Sequence, residues 1–268
     1  MAFPDLVGGG STIFDTQRVY EEQGLLLGTV GVLNGRTYVW CSYSGSSTIA
    51  AGDPLVAADL TRDTLDLDIT TTGLAVGQSQ IDGITPGGAA IAAHAFNDGY
   101  MAVVDGGGEG TIYEIERSNA FTASTADGDV FLKSQVEVAS DASTQVSLLK
   151  NKYADVQQSN KFGRASFVGV SNVAVPAGNS TTQYFWAQRN GYCPVFIEGA
   201  IMRGVSVRVS DTTDGRLESV TQDAEVIESI GGRARHVIPF DLENIVGVMV
   251  TDAVDGEVQI VDLQNPLV

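Results

Sequence analysis

Acidic side chains are the residues of this sequence whose types and spacing come closest to a chemical site. The segments SDTTDGRLE (210–218) and TDAVDGE (251–257) share a D-x-x-D-G pattern, and Ca²⁺ prefers carboxylate oxygens as ligands. The four candidate metal ligands are Asp211, Asp214, Asp252 and Asp255. Neither segment has the spacing of an EF-hand loop. Asp is also favoured at turns without any metal, because its side chain bonds to nearby backbone. We therefore favour solvated turns over a calcium site.

A third acidic segment, DLTRDTLDLD (59–68), offers the carboxylates that a hydrolase would need. Its acidic residues are Asp59, Asp63, Asp66 and Asp68. Glycoside hydrolysis requires two acids that face each other across a cleft. The spacing of these residues does not establish such a pair, so the hydrolase hypothesis has no positive support.

Other catalytic patterns are missing from the sequence. His94 and His236 are its only histidines, and it contains no G-x-S-x-G, H-E-x-x-H, C-x-x-C or Walker-type motif. The glycine cluster DGGGEG (105–110) lies between two strand-like runs, which favours a bulged hairpin loop over a dinucleotide-binding turn. We predict that the protein is not an enzyme and has no cofactor.

The charge of the chain limits its partners. Its 268 residues include 33 Asp and Glu against 15 Lys and Arg, a formal net charge of −18. A field of that sign repels phosphates, so neither nucleic acid nor an anionic membrane is expected as a partner. The first residues, MAFPDLVGGGSTIF, lack a basic region followed by an apolar one. No run approaches the roughly 20 apolar residues of a transmembrane helix. We expect a soluble protein without a cleaved signal.

Short runs rich in Val, Ile, Thr, Tyr and Phe dominate the chain. Examples are RTYVWCSY, YMAVVD, VSVRVSD and EVQIVDL, several of which alternate apolar and polar residues as half-buried strands do. Eight Asx-Gly pairs punctuate them and supply the positive φ angles of hairpin turns or bulges. These patterns predict an all-β fold.

Two segments repeat one aromatic arrangement. GRTYVWCSYSG (35–45) and TTQYFWAQRNG (181–191) each place Tyr and Trp two residues apart, with Gly five residues after Trp. We interpret Asn190-Gly191 as a hairpin turn and the repeat as a sign of two β lobes of related plan. Cys41 and Cys193 fall in or near these segments and are interpreted as small buried hydrophobes, not as a disulfide framework.

We expect the lobes to be β-sandwiches or β-barrels built from short hairpins and joined by a short mixed connector. The expected segments are an N-terminal arm (1–20), a first lobe (21–120), a connector or interlobe strands (121–164) and a second lobe (165–268). Residues 143–159 have apolar side chains at helical spacing after a possible N-cap at Ser143. A strand followed by a loop fits them equally well.

The connector is locally basic in an acidic chain. Its candidate interface residues are Lys133, Lys150, Lys152, Lys161 and Arg164. They form either a solvated face of the connector or a contact surface for an acidic neighbour, such as another copy of the chain.

Four segments, taken in order, resemble structural proteins of tailed viruses of bacteria and archaea. The shared features are an A-A-G-D-x-L turn, D-G-Y leading through G-E-G into Tyr-x-Ile, L-x-x-N-x-Tyr-x-x-Val, and Tyr-x-Trp-x-Gln. The segments that carry them are YEEQGLLLGTVGVLNGRTYVWCSYSGSSTIAAGDPL (20–55), FNDGYMAVVDGGGEGTIYEIERSNAF (96–121), LLKNKYADV (148–156) and YFWAQRNGYCPVFIEGAIMRG (184–204). The resemblance spans most of residues 20–215.

This resemblance implies a virion structural protein on the outside of an icosahedral capsid, as a decoration or vertex turret component. The implied partners are the major capsid protein and further copies of the chain, as a trimer or pentamer set by shell symmetry. An alternative is a carbohydrate- or receptor-binding module of a virion fibre, in which Trp40 and Trp186 would be exposed platforms for sugars. Both lie in apolar strand-like runs, which favours core packing.

Overall fold

The computed structural model describes residues 15–58, 64–69, 73–141, 143–159, 166–178, 181–220 and 245–264, and the backbone of 226–230 and 233–237. The described residues contain strands and no α-helix, so the all-β prediction is confirmed. Among these residues, no helix is long and apolar enough to span a membrane.

The strands follow one another with short turns and loops between most of them. In chain order they are β1 (Val19–Tyr20), β2 (Val30–Leu33), β3 (Arg36–Tyr43), β4 (Pro54–Val56), β5 (Leu67–Asp68), β6 (Gln80–Ile84), β7 (Tyr100–Asp105), β8 (Ile112–Ser118), β9 (Gly128–Leu132), β10 (Gln145–Leu149), β11 (Gln157–Gln158), β12 (Phe167–Ser171), β13 (Gln183–Phe196), β14 (Ser206–Val209), β15 (Leu217–Ser219), β16 (Val226–Ile230), β17 (Arg233–Val237), β18 (Ile245–Met249) and β19 (Val258–Gln264).

The chain forms two compact units whose boundaries differ from the predicted ones. Unit 1 combines Met1–Ala57 with Asp155–Val268, and unit 2 is the segment Ala58–Ala154 inserted between them. The predicted first lobe (21–120) therefore mixes residues of both units, because β3 pairs with the distant β13 and not with the strands that follow it. Local patterns do not reveal pairing over such a separation.

The predicted connector also differs from the structure. Strands β9 and β10 lie within residues 121–164, and they pair with β6, β8, β7 and β5 as integral strands of unit 2. The possible helix at 143–159 is strand β10 followed by turns and the short strand β11. Val146 and Leu148 are buried in the unit 2 core, so β pairing fixed the conformation where helical spacing was ambiguous.

Strand β13 is the central strand of the unit 1 sheet. The unit 1 sheet has eleven strands, with β11-β4-β12-β13-β19-β18-β14-β15 as its main order and a half-barrel curvature. Strands β1 and β3 also pair with β13, and β2 pairs with β3. Strands β16 and β17 form a separate two-stranded sheet.

The two Tyr-x-Trp segments meet in this one sheet. In the antiparallel register of β3 and β13, Trp40 stands directly opposite Trp186. Their ring centroids are 5.1 Å apart with planes at 62°, an edge-to-face contact typical of aromatic pairs. Tyr20 and Tyr184 pack on Trp40 at 5.3 Å and 6.3 Å. The interpretation of the repeat as two related lobes was therefore wrong, because its two halves form a single pair within unit 1.

Two of the Asx-Gly pairs, both predicted to form turns, have different conformations in the structure. Asn34-Gly35 joins β2 to β3 with both φ angles positive (52° and 75°), as a two-residue type I′ hairpin requires. Asn190-Gly191, predicted as a turn, lies inside β13 at a bulge where the strand changes its partner from β3 to β19. The buried Gln188 amide holds this bulge, since it donates to the carbonyls of residues 190, 191 and 192 at 3.1, 3.3 and 3.0 Å.

Unit 2 is a nearly closed barrel. Its six strands run in the order β5-β10-β7-β8-β9-β6, and a backbone bridge between Ile69 and Ile84 joins the two ends of that order. The interior is filled by apolar side chains such as Met101, Tyr113 and Ile115. Unit 2 therefore has its own hydrophobic core.

The chain leaves unit 1 to form the inserted unit 2 and returns to unit 1 at a neighbouring point. Strands β4 and β11 are antiparallel partners, with Val56 opposite Gln157. The chain ends created by removing unit 2 would thus lie side by side, as in permissive sites of domain insertion.

We expect Trp186→Ala to lower the free energy of unfolding by about 3–5 kcal/mol, because it empties a fully buried site beside Trp40. Urea unfolding followed by circular dichroism measures this change. Val32→Ala, at an exposed position of β2, is the control and should cost less than about 0.5 kcal/mol. Equal costs for the two variants would contradict the central position of the tryptophan pair.

We also expect a chain in which two glycines replace Ala58–Ala154 to fold as unit 1 alone. Both tryptophans of the protein belong to unit 1, so tryptophan emission reports on that unit. The shortened chain should keep blue-shifted emission and a cooperative unfolding transition. Red-shifted emission in buffer would show that unit 1 depends on the insert.

Candidate interaction surface

The four predicted metal ligands lie in two hairpin loops of unit 1. Asp211 and Asp214 lie in the β14–β15 loop, and Asp252 and Asp255 in the β18–β19 loop. Each D-x-x-D-G pattern ends in a glycine of positive φ, 71° at Gly215 and 78° at Gly256. The segments therefore have the turn geometry that we favoured.

Three of these carboxylates have defined donors within the chain, and Asp214 also has an interaction within it. Asp252 accepts the Arg203 N–H at 2.9 Å, and Asp255 accepts the Gly199 N–H at 2.9 Å with the Arg216 guanidinium at 3.5 Å. Asp211 accepts from Arg208 at 3.1 Å. Among the residues that the structure describes, no group of three or more His, Cys, Asp or Glu side chains is arranged to hold a metal ion. Asp252 and Asp255 fasten the β18–β19 loop to other segments, whereas Asp211 binds within its own hairpin.

Glu198 is a loop residue that sequence reasoning missed. Its carboxylate accepts hydroxyl bonds from Thr212 at 2.6 Å, from Thr213 at 2.7 Å and from Ser210. These hydrogen bonds, that of Ser210 first, lower the pKa of Glu198. The donors are 12 to 15 residues away along the chain, so no local motif announces them.

The predicted basic interface residues fall in unit 2 or outside the described residues. Lys133 binds Asp98 at 2.9 Å and Glu114 at 3.7 Å, and the hydrogen bond to Asp98 is the main cause that raises the lysine pKa. Lys152 lies over the Tyr153 ring at 5.1 Å, and Lys150 also has an interaction within the chain. Lys161 and Arg164 lie outside the described residues. A role of these five residues in an interface stays a prediction.

Among the described residues, the remaining candidates for catalysis are spread over both units. Asp59 and Asp63 lie outside the described residues, whereas Asp68 accepts the Gln145 amide at 2.9 Å. His94 occupies a turn with φ 66° in unit 2, and His236 lies on β17 of unit 1, opposite Ile227. The two histidines therefore belong to different units.

The tryptophans and cysteines are interior residues. Trp40 and Trp186 are 1% and 0% exposed, so neither offers a ring to a sugar, and the prediction of core packing is confirmed. Cys41 and Cys193 are free thiols with no exposed surface, also as predicted. Burial raises the pKa of Cys193 to about 12, which keeps it in the unreactive thiol form.

An apolar surface covers the outer side of β13, β19 and β18. Tyr192, Pro194 and Phe196 stand opposite Asp262, Ile260 and Val258. On the other side of β19, Val248 stands opposite Asp262, and the Val250 N–H donates to the Ile260 carbonyl at 2.9 Å. We call these eight positions the outer apolar face: Tyr192, Pro194, Phe196, Val248, Val250, Val258, Ile260 and Asp262.

Four of the eight positions of the outer apolar face are exposed and the other four are half-buried. Tyr192 is 62% exposed, Val258 42% and Val250 38%. The alternate positions of the same strands, such as Cys193 and Val261, are fully buried in the unit 1 core. The outer side of these strands is therefore mainly apolar between Tyr192 and Phe196, and it becomes polar at the exposed pair of Asn190 and Gln264. Antiparallel strands with one solvated side normally place polar residues along the whole of that side.

The outer surface of β7 and β8 in unit 2 is different. Tyr100 and Ile112 are exposed there too, but Tyr100 stands opposite Glu114, and the exposed Glu116 follows on the same strand. Apolar and acidic side chains are mixed on that surface. The outer apolar face, by contrast, has one charged residue in eight positions.

The sequence contains a signal for the outer apolar face. YCPVFI (192–197) and IVGVMV (245–250) are continuous apolar runs without alternation, which is typical of strands buried on both sides. We predicted strands in this part of the chain but no surface, because the registers that align the runs are formed by the fold.

Comparison of the chain with protein-family models, with curated proteins and with solved structures gave no match.

We expect Glu198→Gln to destabilise unit 1 by about 1 kcal/mol at pH 7, because a neutral amide accepts fewer and weaker hydroxyl bonds. The folded-state pKa of Glu198 is lowered, so its stabilisation is complete above the ordinary pKa of about 4.3 and is lost as pH falls through the folded value. The difference between variant and parent in urea unfolding should therefore shrink below that pH. Glu22→Gln, at an exposed glutamate of unit 1, is the control. A cost for Glu198→Gln that does not change with pH would contradict the role of its charge.

Proposed function

We propose that the chain is a virion structural protein that binds to the outside of an icosahedral capsid and stabilises the shell through protein–protein contacts. The outer apolar face carries this proposal. A contiguous exposed patch of apolar side chains on a sheet is typical of a surface that another protein covers. Seven of its eight positions are apolar, and all but Val250, which directly follows β18, lie on three adjacent strands with an ordered register.

The charge of the chain supports a position outside the shell. Its net charge of −18 opposes contact with the phosphates of a packaged genome. A protein on the exterior avoids that repulsion and faces solvent, where a large net charge keeps particles apart.

The segments that resemble tailed-virus structural proteins contain core residues of both units. Trp40 and Trp186 belong to two of them and form the aromatic pair of unit 1. Tyr113 and Ile115 of the Tyr-x-Ile motif are buried in the core of unit 2. The shared motifs therefore include core residues of both units.

Repetition over a shell makes such a role possible with individually weak contacts. A decoration protein bound at many equivalent sites converts each further contact into an intramolecular one, so modest affinities multiply. Two β units per chain, each with its own hydrophobic core, suit this task because each unit offers a surface to a capsid subunit.

The test is quantitative mass spectrometry of purified particles of the virus that encodes the chain. We expect a fixed ratio to the major capsid protein, near equality for a lattice-wide decoration or a small fraction for a vertex component. Brief protease treatment of intact particles should remove the chain before the capsid protein. Absence from particles, or digestion only after the particles are opened, would contradict the proposal.

A further inference from the structure

We infer that Asn34, in the turn between β2 and β3, is a site of spontaneous deamidation in the folded protein. Its side-chain amide converts to a carboxylate, whereas the chemically equivalent Asn190 is protected by the fold. The inference goes beyond the proposed function and does not depend on it.

Deamidation of an asparagine is an intramolecular reaction that consumes only water. The backbone nitrogen of the next residue loses its proton to a solvent base and attacks the side-chain carbonyl carbon Cγ. A new C–N bond forms, and the amide C–N bond breaks with release of ammonia. Water then opens the cyclic imide at one of its two carbonyls, which gives aspartate or isoaspartate. A following glycine favours the attack, because no Cβ hinders the nitrogen.

Asn34-Gly35 is open to this reaction. Both residues are exposed. Within the described part of the chain, no hydrogen bond is made by the Asn34 side chain or by the Gly35 N–H. A Cβ placed on Gly35 would meet no atom within 4 Å beyond its chain neighbours. The glycine nitrogen can therefore reach Cγ of Asn34 when a single exposed two-residue turn opens.

Asn190-Gly191 is the same dipeptide held inside a strand. Both residues pair with β19, and Gln188 donates to their carbonyls at 3.1 and 3.3 Å. A Cβ on Gly191 would lie 3.0 Å from Cγ of Arg36, so the side chain of Arg36 covers this glycine. Rotation of the Asn190-Gly191 peptide toward Cγ must first break these contacts in the middle of β13. Exposed turns open at a much lower free energy than paired strands do.

The consequence of the modification is confined to one hairpin. Isoaspartate adds a carbon to the backbone, which a two-residue type I′ turn cannot accommodate without changing its geometry. Among the described strands, β2 pairs only with β3, so the altered turn weakens the attachment of β2. Strand β3 remains held by β13 through Trp40 and Trp186. Unit 1 therefore stays folded while β2 loosens.

Peptide mapping by mass spectrometry tests the inference on the purified full chain during incubation in mildly alkaline buffer. We expect Asn34 to convert at least about tenfold faster than Asn190, because the turn opens more readily than the ladder. The same chain unfolded in urea is the control for the sequence itself. There the two Asn-Gly pairs should convert at similar rates, since only the fold distinguishes them.

The Asn34→Gln variant is the matched control for the modified residue. Glutamine would have to close a larger ring, so the variant should not convert at this position during the same incubation. Labelling by an isoaspartyl methyltransferase should accordingly appear in the aged parent and fall in the aged variant. Amide hydrogen exchange of Val30–Leu33 should become faster in the aged parent alone. Tryptophan emission should remain blue-shifted in both samples, because the aromatic cluster is retained.

Equal rates at Asn34 and Asn190 in the folded chain would overturn the inference. An Asn34 that stays intact in the folded chain but converts in urea would overturn it as well. Both results leave the particle composition untouched. Conversely, absence of the chain from particles would remove the proposed function and not the modification, so the two failures are distinguishable.

Discussion

The structure of unit 1 depends on the pairing of β3 with β13 through the tryptophans. This pairing joins residues that lie on opposite sides of the inserted unit 2 in sequence, so the chain must close a long loop before the contact forms. The cluster of Trp40, Trp186 and Tyr38 buries enough aromatic surface to offset that entropic cost. Strands β1, β12 and β19 then add to β13, so one long strand organises the rest of the sheet.

The outer apolar face follows from the way β13 continues past the tryptophans. At Asn190-Gly191 the strand leaves β3 and pairs with β19, and the side chain of the buried Gln188 holds the carbonyls of this bulge. Beyond it, Tyr192 and Phe196 face outward while Cys193 and Val195 enter the core. A turn at this position would have ended the strand and removed the face. The bulge therefore links the packing of the core to the surface that carries the proposed function.

Short-range features of the fold were predictable from the sequence, and long-range ones were not. Alternating apolar residues and Asx-Gly pairs indicated strands and hairpins, and the Asn34-Gly35 turn has the predicted geometry. The burial of both tryptophans and both cysteines was also predicted.

The unit boundaries were missed because they depend on which strands pair, and a two-residue period says nothing about partners. The turn chemistry of the Asp-rich loops was recognised, but Glu198 was not, since its hydroxyl donors come from another loop. The outer apolar face had a signal in YCPVFI and IVGVMV, but the alignment of these runs is a tertiary property.

The central claim is that a protein partner covers the outer apolar face. Hydroxyl-radical footprinting with mass spectrometry measures the exposure of Tyr192 directly, and Tyr100 on the acidic outer surface of unit 2 provides an internal reference. The account predicts that oxidation of Tyr192 is lower in assembled particles than in the free chain, while that of Tyr100 stays constant. Equal oxidation of Tyr192 in the free chain and in assembled particles would contradict it.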